Sequence, residues 1–292
     1  MRLSPGGKIF VVGNTIFLFG VSILCLLPLI HILALSFSSS GPATANEVKF
    51  WPVDFTFGSY KFIMHKSEFL TAMVVTLKRF SIGTAISLAL TLLSAYALSK
   101  EERAFRGRTL YAWIFMLTIL FNGGLIPWYL AIHQTGLLDT IWALVIPNGV
   151  QVFNVILLLN FFRGLPKELE EAAFIDGAGH LTTLIRVFIP VSAPALATIT
   201  LFTIVYHWNA WFDGLLLMNS PAHYPLQSYL QTVTTVRDLT LISSQSLDDL
   251  KDVSDRTSKS AQLFLGALPI LCVYPFLQRY FIKGVVLGSV KE

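Results

Sequence analysis

Six long apolar segments leave this chain few folds to choose from. They cover residues 9–37, 69–98, 110–132, 141–162, 185–218 and 261–282. Crossing the hydrocarbon of a bilayer takes about 20 mostly apolar residues in a helix. Backbone polar groups in lipid must be paired within the chain, which favours helices over open strands. The expectation is an all-α membrane protein with six transmembrane helices. Only 13% of the 292 residues are charged and 54% are apolar, against about 25% charged in ordinary soluble domains. The net charge of +4 is not gathered into a tract that would suggest nucleic acid.

The loops predict an orientation, because short cytoplasmic loops are enriched in Lys and Arg. Loop 100–108 carries Lys100, Arg103, Arg106 and Arg108 and is placed in the cytoplasm; loop 133–140 has no Lys or Arg and is placed outside. Arg163, Lys167 and Arg186 return the chain to the cytoplasm. Stretch 219–258 is placed outside, with Asp238, Asp248, Asp249, Asp252 and Asp255 against Arg237, Lys251 and Arg256. N- and C-termini cytoplasmic follow from that alternation. The first segment competes with a secretory signal, since Arg2 and Lys8 precede it and Ala43-Thr44-Ala45 imitates a cleavage site. Its length exceeds the roughly 7–15 residues of a signal peptide's apolar core, so a retained span is expected.

Other features are less decisive. The aromatic stretch 50–64 is expected along the outer interface. The fifth segment is too long for one straight span, and its first turns, up to Pro190 or Pro194, are expected outside the hydrocarbon. Cys25 and Cys272 have no partners at disulfide or metal spacing and read as small apolar fillers. His31 reads as a packing or interface residue.

The most informative loop runs from Leu165 to Gly179. Pro166 suits a first helical turn. Glu168, Glu170 and Glu171 set negative charge at the positive helix end. Leu169, Ala172 or Ala173, and Asp176 share a face, and Gly177 and Gly179 supply the closing turn. A short cytoplasmic helix between spans four and five is expected. Its small-residue face could seat in a partner's groove. From spacing alone, a plain capped loop helix whose acids answer the dipole is the better reading.

Glu171-Ala172-Ala173, Asp176-Gly177-Ala178, then Ile189-Pro190 and Pro194 resemble the EAA loop of binding-protein-dependent ABC importers. Ala95-Tyr96-Ala97-Leu98 before Phe105-Arg106-Gly107-Arg108 resembles the end of the second span in the maltose-type second permease family. Tyr206-His207-Trp208-Asn209-Ala210-Trp211 and Tyr280-Phe281-Ile282-Lys283-Gly284-Val285 resemble the branch importing oligosaccharides from polysaccharides, alginate fragments included. One departure is Val75-Thr76, where relatives usually show Asn-Thr; a local packing effect is expected.

The resemblance implies a type I ABC importer transmembrane domain over residues 69–285, with a coupling loop at 164–182. Residues 1–68 would hold the first transmembrane helix and the external aromatic segment, and 286–292 a cytoplasmic tail. It implies that Glu171, Ala172, Ala173, Asp176, Gly177 and Ala178 dock into an ATPase subunit. The partners implied are a sister permease subunit in a heterodimer, two ATPase subunits, an extracytoplasmic solute-binding protein and membrane lipid, with no nucleic acid. The setting implied is a bacterial cytoplasmic (inner) membrane, crossed several times. No GxxxxGKS/T phosphate loop occurs, so ATP and Mg are expected on the partner ATPase, with no cofactor, metal site or catalytic residue here.

A substrate path is sought among polar residues within spans, where such groups face a cavity or a partner. Asn148, Gln151 and Asn154 lie at i, i+3 and i+6; Tyr206, Asn209 and Asp213 lie at i, i+3 and i+7, with Trp208 and Trp211 able to stack on sugar rings. Hydrogen bonding between spans uses the same residue types. Lys78 and Arg79 could receive an anionic sugar or snorkel toward the outer interface. Loop 135–140 could meet the binding protein or be a plain glycine turn. An ion-coupled secondary transporter, and an ABC permease for a non-sugar solute, stay open as alternatives.

Overall fold

The computed structural model describes residues 4–235 and 253–289. Arg237, Asp238, Asp248, Asp249, Lys251 and Asp252 of the acidic stretch lie outside the described residues, as do residues 290–292 of the tail. Regular structure among the described residues is helical, beside one isolated antiparallel bridge between Ser38 and Phe55.

The helices run α1 Pro5–Ser36, α2 Ser40–Thr44, α3 Gly58–His65, α4 Ser67–Ser99, α5 Arg108–Leu120 and α6 Leu125–Gln134. Next come α7 Ile141–Val145, α8 Val152–Arg163, α9 Lys167–Ile175 and α10 His180–Thr183. A π turn, Leu184–Phe188, leads into α11 Ile189–Val191 and α12 Ala193–Asn209. Last are α13 Phe212–Leu217, α14 Leu226–Thr235 and α15 Asp255–Ser289, which contains the stretch from Tyr280 to Val285. Among the described residues two helices are long and apolar enough to cross a membrane, Gly6–Ser36 and Ser67–Ser99. The count reaches four if each of two bent pairs is one span.

Those bent pairs correct the simplest reading of the sequence. Segment 110–132 is two helices meeting at 118°. Asn122-Gly123-Gly124 breaks it: Gly124 sits at φ +87°, and its N–H donates to Asn122 Oδ1 at 2.9 Å. Segment 141–162 is likewise split between α7 and α8, where Pro147 lacks the N–H a continuous helix needs. The fifth segment bends by 88° between His180–Val191 and Ala193–Asn209. That bend falls at Ser192, between Pro190 and Pro194.

The chain divides into two compact units. One is Met1–Leu70 with Leu230–Leu268. Within it, no residue in the most apolar stretch of α1 is buried, so its apolar surface is left for lipid or another chain. Below α1, Ala34, Leu35, Ala43 and Val48 form a small core. Phe37 stacks on Phe55 at 5.2 Å and meets Phe57 and Tyr60 at 5.6 and 4.8 Å. The aromatic stretch is thus partly self-packed, while Trp51 stays exposed. Lys49's carbonyl lies 2.6 Å from His31 Nδ1, a packing contact. Arg256 donates to Ala43's carbonyl at 3.0 Å and Asn46 Oδ1 at 2.9 Å, tying the start of α15 to the end of α2.

The other unit is Thr71–Tyr229 with Pro269–Glu292. Its main core joins Ala95, Tyr96 and Leu98 of α4 to Leu158 and Phe162 of α8, Leu184 and Phe188 of the π turn, and Ile199 of α12. A second cluster joins Ile132, Leu144 and Leu217. Cys25 and Cys272 are free thiols and exposed within the chain, so neither fills a core.

Where α4 crosses α12, close approach depends on one small residue. A Cβ on Gly83 would stand 2.6 Å from the His207 ring. His207 is buried and shares a 3.3 Å hydrogen bond with Ser87. Small residues let membrane helices approach closely, and overpacking costs about 1–3 kcal/mol. Gly83→Ala is therefore expected to lower the thermal unfolding temperature of the purified protein, and His207→Ala on that background to restore most of the loss. Fluorescence-detected melting of the single and double variants checks this.

Candidate functional site

The loop helix α9 forms where expected, one residue after Pro166. Glu168 and Glu170 occupy its first turn, where they complement the positive helix end. Its end is closed by two backbone bonds, Gly177 N–H to Phe174's carbonyl at 3.0 Å and Ala178 N–H to Ala173's at 2.9 Å. Gly177 takes φ +81°, a conformation that costs glycine little. This is the Schellman cap.

No residue of α9 is buried. Glu171, Ala172, Asp176 and Gly177 are exposed, and Ala173 and Ala178 half-buried. Beside them Ile175 is 86% exposed and Leu181 64%. An apolar surface with an acidic edge is therefore left open across the end of α9 and the start of α10, and such patches commonly mark protein contacts.

Sequence reasoning missed what holds that helix. Lys100, just beyond α4, is buried and donates to Glu170 at 2.6 Å, with its ammonium 3.6 Å above the Tyr96 ring and 4.4 Å from that of Phe188. Burial pulls Lys100 below its usual range, and Glu170 opposes that shift. Lys167 also pairs with Glu101 in the open, where screening leaves such pairs little energy. The buried pair is what ties α9 to the end of α4.

The polar residues of the spans separate into two groups. Arg79 has no exposed surface; it pairs with Asp213, one Nη1–Oδ1 contact measuring 3.0 Å, and also donates to Ala210's carbonyl at 3.2 Å. That overturns both readings of Arg79: it neither snorkels nor waits for substrate. Asp213 is used by the same pair, and lies in α13 rather than on the face of Tyr206 and Asn209, because the helix breaks at Ala210 and Trp211. Trp208 is buried and packs edge-on to Phe80 at 6.4 Å, so its ring offers no face to a sugar. Gln151 accepts from Asn154 at 2.7 Å, and Asn154 donates to Thr203 at 3.2 Å; these bonds join α8 to α12. Asn148 sits in the turn between α7 and α8, outside the helical face assumed for it. Tyr206, Asn209, Trp211 and Lys78 remain exposed.

Thr76 is buried and its Oγ1 accepts the N–H of Leu226 at 2.6 Å. Thr76 thus ties α4 to the start of α14. Thr76, Arg79, Gly83, Ser87 and Thr91 recur at helical spacing along α4. Seen on the sequence, that stripe would have marked the face turned inward.

Over residues 9–286 the sequence matches the family described as binding-protein-dependent transport system inner membrane component. The chain belongs to that family. It is the membrane permease component of an ABC importer, and membership decides against the ion-coupled reading. Protein LplC of Bacillus subtilis is 39% identical over 291 residues, covering 100% of this chain and 98% of its own. The polygalacturonan/rhamnogalacturonan transport system permease protein YtcP of the same organism is 36% identical over 281 residues, covering 94% and 96%. The fold is similar, at a TM-score of 0.88 and 33% identity, to a crystal structure of a bacterial ABC transporter involved in the import of the acidic polysaccharide alginate. That likeness covers 96% of the permease and 99% of the other chain.

The loop after α6 of the permease is latched rather than plain. Gly136 and Asp139 have φ +69° and +59°. Asp139 Oδ1 accepts from Asn219's N–H at 2.9 Å and lies 2.8 Å from His223 Nδ1. The His223 contact, then the Asn219 N–H, hold the Asp139 carboxyl below its usual range.

Two outcomes follow. Asp213→Asn leaves Arg79 buried against a neutral partner, and breaking such a pair costs about 3–5 kcal/mol. Its melting temperature should fall sharply, while Arg79→Met with Asp213→Leu should recover much of the loss. A carboxylate whose pKa is depressed by folding contributes stability above its unfolded pKa and loses it as pH falls through the folded one. The Asp139 latch should therefore loosen on acidification below the ordinary carboxylate range. Exchange protection at the Asn219 amide, corrected for intrinsic rate, should fall there in the wild type and show no such step in Asp139→Asn.

Proposed function

We propose that this permease forms half of the translocation path of an ATP-driven importer for an oligosaccharide, acidic in character, handed over by an extracytoplasmic solute-binding protein. Near-full-length similarity to permeases described for polygalacturonan/rhamnogalacturonan transport and alginate import carries this reading. The exposed Tyr206, Asn209 and Trp211 supply a hydroxyl, an amide and an aromatic face at one helix end, the groups that sugar recognition uses. Lys78, exposed and near Arg79 in sequence, is the cation available to a carboxylated sugar. Gln151, Asn154, Trp208 and Asp213 hold the framework behind that surface.

In this proposal the chain crosses the inner membrane six times with both termini in the cytoplasm, the bent pairs counting as single spans. A sister permease completes the path. Two ATPase subunits bind ATP and Mg, and Glu171, Ala172, Ala173, Asp176, Gly177 and Ala178 form the face on which one of them docks. Closure of the ATPases would push on α9 and turn the path from inward-facing to outward-facing.

The complex, purified with its native subunits and binding protein and placed in lipid vesicles, should hydrolyse ATP faster with acidic oligosaccharides than with neutral ones. Stimulation by amino acids or phosphate alone would overturn the sugar assignment. Glu171→Lys should lose the ATPase subunits during purification while melting like the wild type. Retention of the ATPase would move the docking face elsewhere.

A further inference from the structure

Behind the docking face lies a cavity of about 450 Å³ where the ends of α4, α8 and α9 converge. Its walls include Lys100, Arg103, Arg108, Arg163 and Lys167, against Glu101, Glu170 and Glu171. Two of the carboxylates are engaged: Glu170 accepts from Lys100 and Glu101 pairs with Lys167. The arginines are placed differently. Arg108 donates to Lys100's carbonyl at 2.8 Å and Arg163 to Leu98's at 3.1 Å. Arg103 donates to none of the described residues and adds only to the field at Glu101. None of the three meets a carboxylate at ion-pair distance among the described residues, so each keeps N–H donors free.

A guanidinium presents five donors in a planar fork that matches phosphate oxygens two at a time. A cavity of this size falls within the roughly 300–1,000 Å³ of small-ligand sites. Hydrogen bonds to backbone carbonyls hold Arg108 and Arg163 in place without neutralising them, which is how a preformed anion site is built. We propose that this cavity binds a phosphate group, with Arg103, Arg108 and Arg163 as its donors.

That phosphate can belong to a lipid or be free in solution, and one observation favours the lipid. Helix α5 begins at Arg108 and exposes Leu110, Trp113 and Ile114. A phosphodiester seated on the arginines would have an apolar helix alongside for its acyl chains. This choice of source rests on the membrane reading of α5; the anion chemistry of the cavity does not.

The test uses the assembled complex with its native subunits, in nanodiscs of phosphatidylcholine doped with phosphatidylglycerol. Lipid retained after delipidation is identified by mass spectrometry, and inorganic phosphate is titrated calorimetrically into the delipidated complex. The wild type should retain phosphatidylglycerol in preference to phosphatidylcholine. Each guanidinium removed, in Arg103→Gln and then Arg103→Gln with Arg163→Gln, should weaken retention about fivefold. Arg106→Gln removes the same charge from the same loop but does not line the cavity, and should change nothing. Inorganic phosphate binding lost in the same variants, with no lipid preference, would support the site and assign it a free anion. Arg103 makes no hydrogen bond that its loss would break, so the single variant reads binding rather than folding. If Arg106→Gln matches Arg103→Gln, or if neither probe distinguishes variant from wild type, the proposal is wrong. Loss of the ATPase from Arg103→Gln with lipid and phosphate binding intact would give the arginines to the subunit contact instead, and overturn it too.

Discussion

A guanidinium with no exposed surface, inside a helix long enough to cross a membrane, has to find a carboxylate. The position of Arg79 on α4 dictates where Asp213 must stand. That requirement fixes more than one pair. Asp213 opens α13, and Arg79 also takes the Ala210 carbonyl left over where α12 ends. The break between the two helices is thereby met from α4. Next to it, Thr76 accepts Leu226's N–H and Ser228 donates to Trp211's carbonyl. A Cβ on Gly214 would stand 2.1 Å from that same serine hydroxyl. The polar groups freed by an irregular backbone are thus collected in one place, as a low-dielectric setting demands.

A second buried cation, Lys100, follows directly on the last turn of α4. Arg79 and Lys100 are 21 residues apart in sequence, about 30 Å along a helix at 1.5 Å per residue. One holds the α12–α13 break and the other holds α9. A single rod therefore connects α9 to the region where Tyr206, Asn209 and Trp211 are exposed.

What was legible beforehand was local. The start of α9 after Pro166 and its glycine-closed end each follow from residues within a few positions of one another. The Arg79–Asp213 pair was not legible, because its members are 134 residues apart and nothing near either one names the other. The breaks at Asn122-Gly123-Gly124 and at Pro147 were visible as turn residues, but long apolar runs outweighed them in reading spans. Asn148 was misplaced for that reason, since a spacing of i, i+3, i+6 assumes a helix running unbroken past a proline. Gln151, Asn154, Trp208 and Asp213 were read as a substrate path, and their contacts with one another and with Thr203, Phe80 and Arg79 give them to the framework. Residue type alone could not separate that role from substrate contact.

The cap that ends α9 has a mechanical meaning. Ala173 and Ala178, on either side of the turn, are joined by a backbone hydrogen bond of 2.9 Å, so the acidic helix and the glycine corner behind it form one stiff wedge. A wedge does not absorb a push by bending. A load on Glu171 or Ala172 would pass through that wedge to the chain on either side of it, α8 before and α10 after. That stiffness is written in the backbone conformation of a few residues, Gly177 at φ +81° above all.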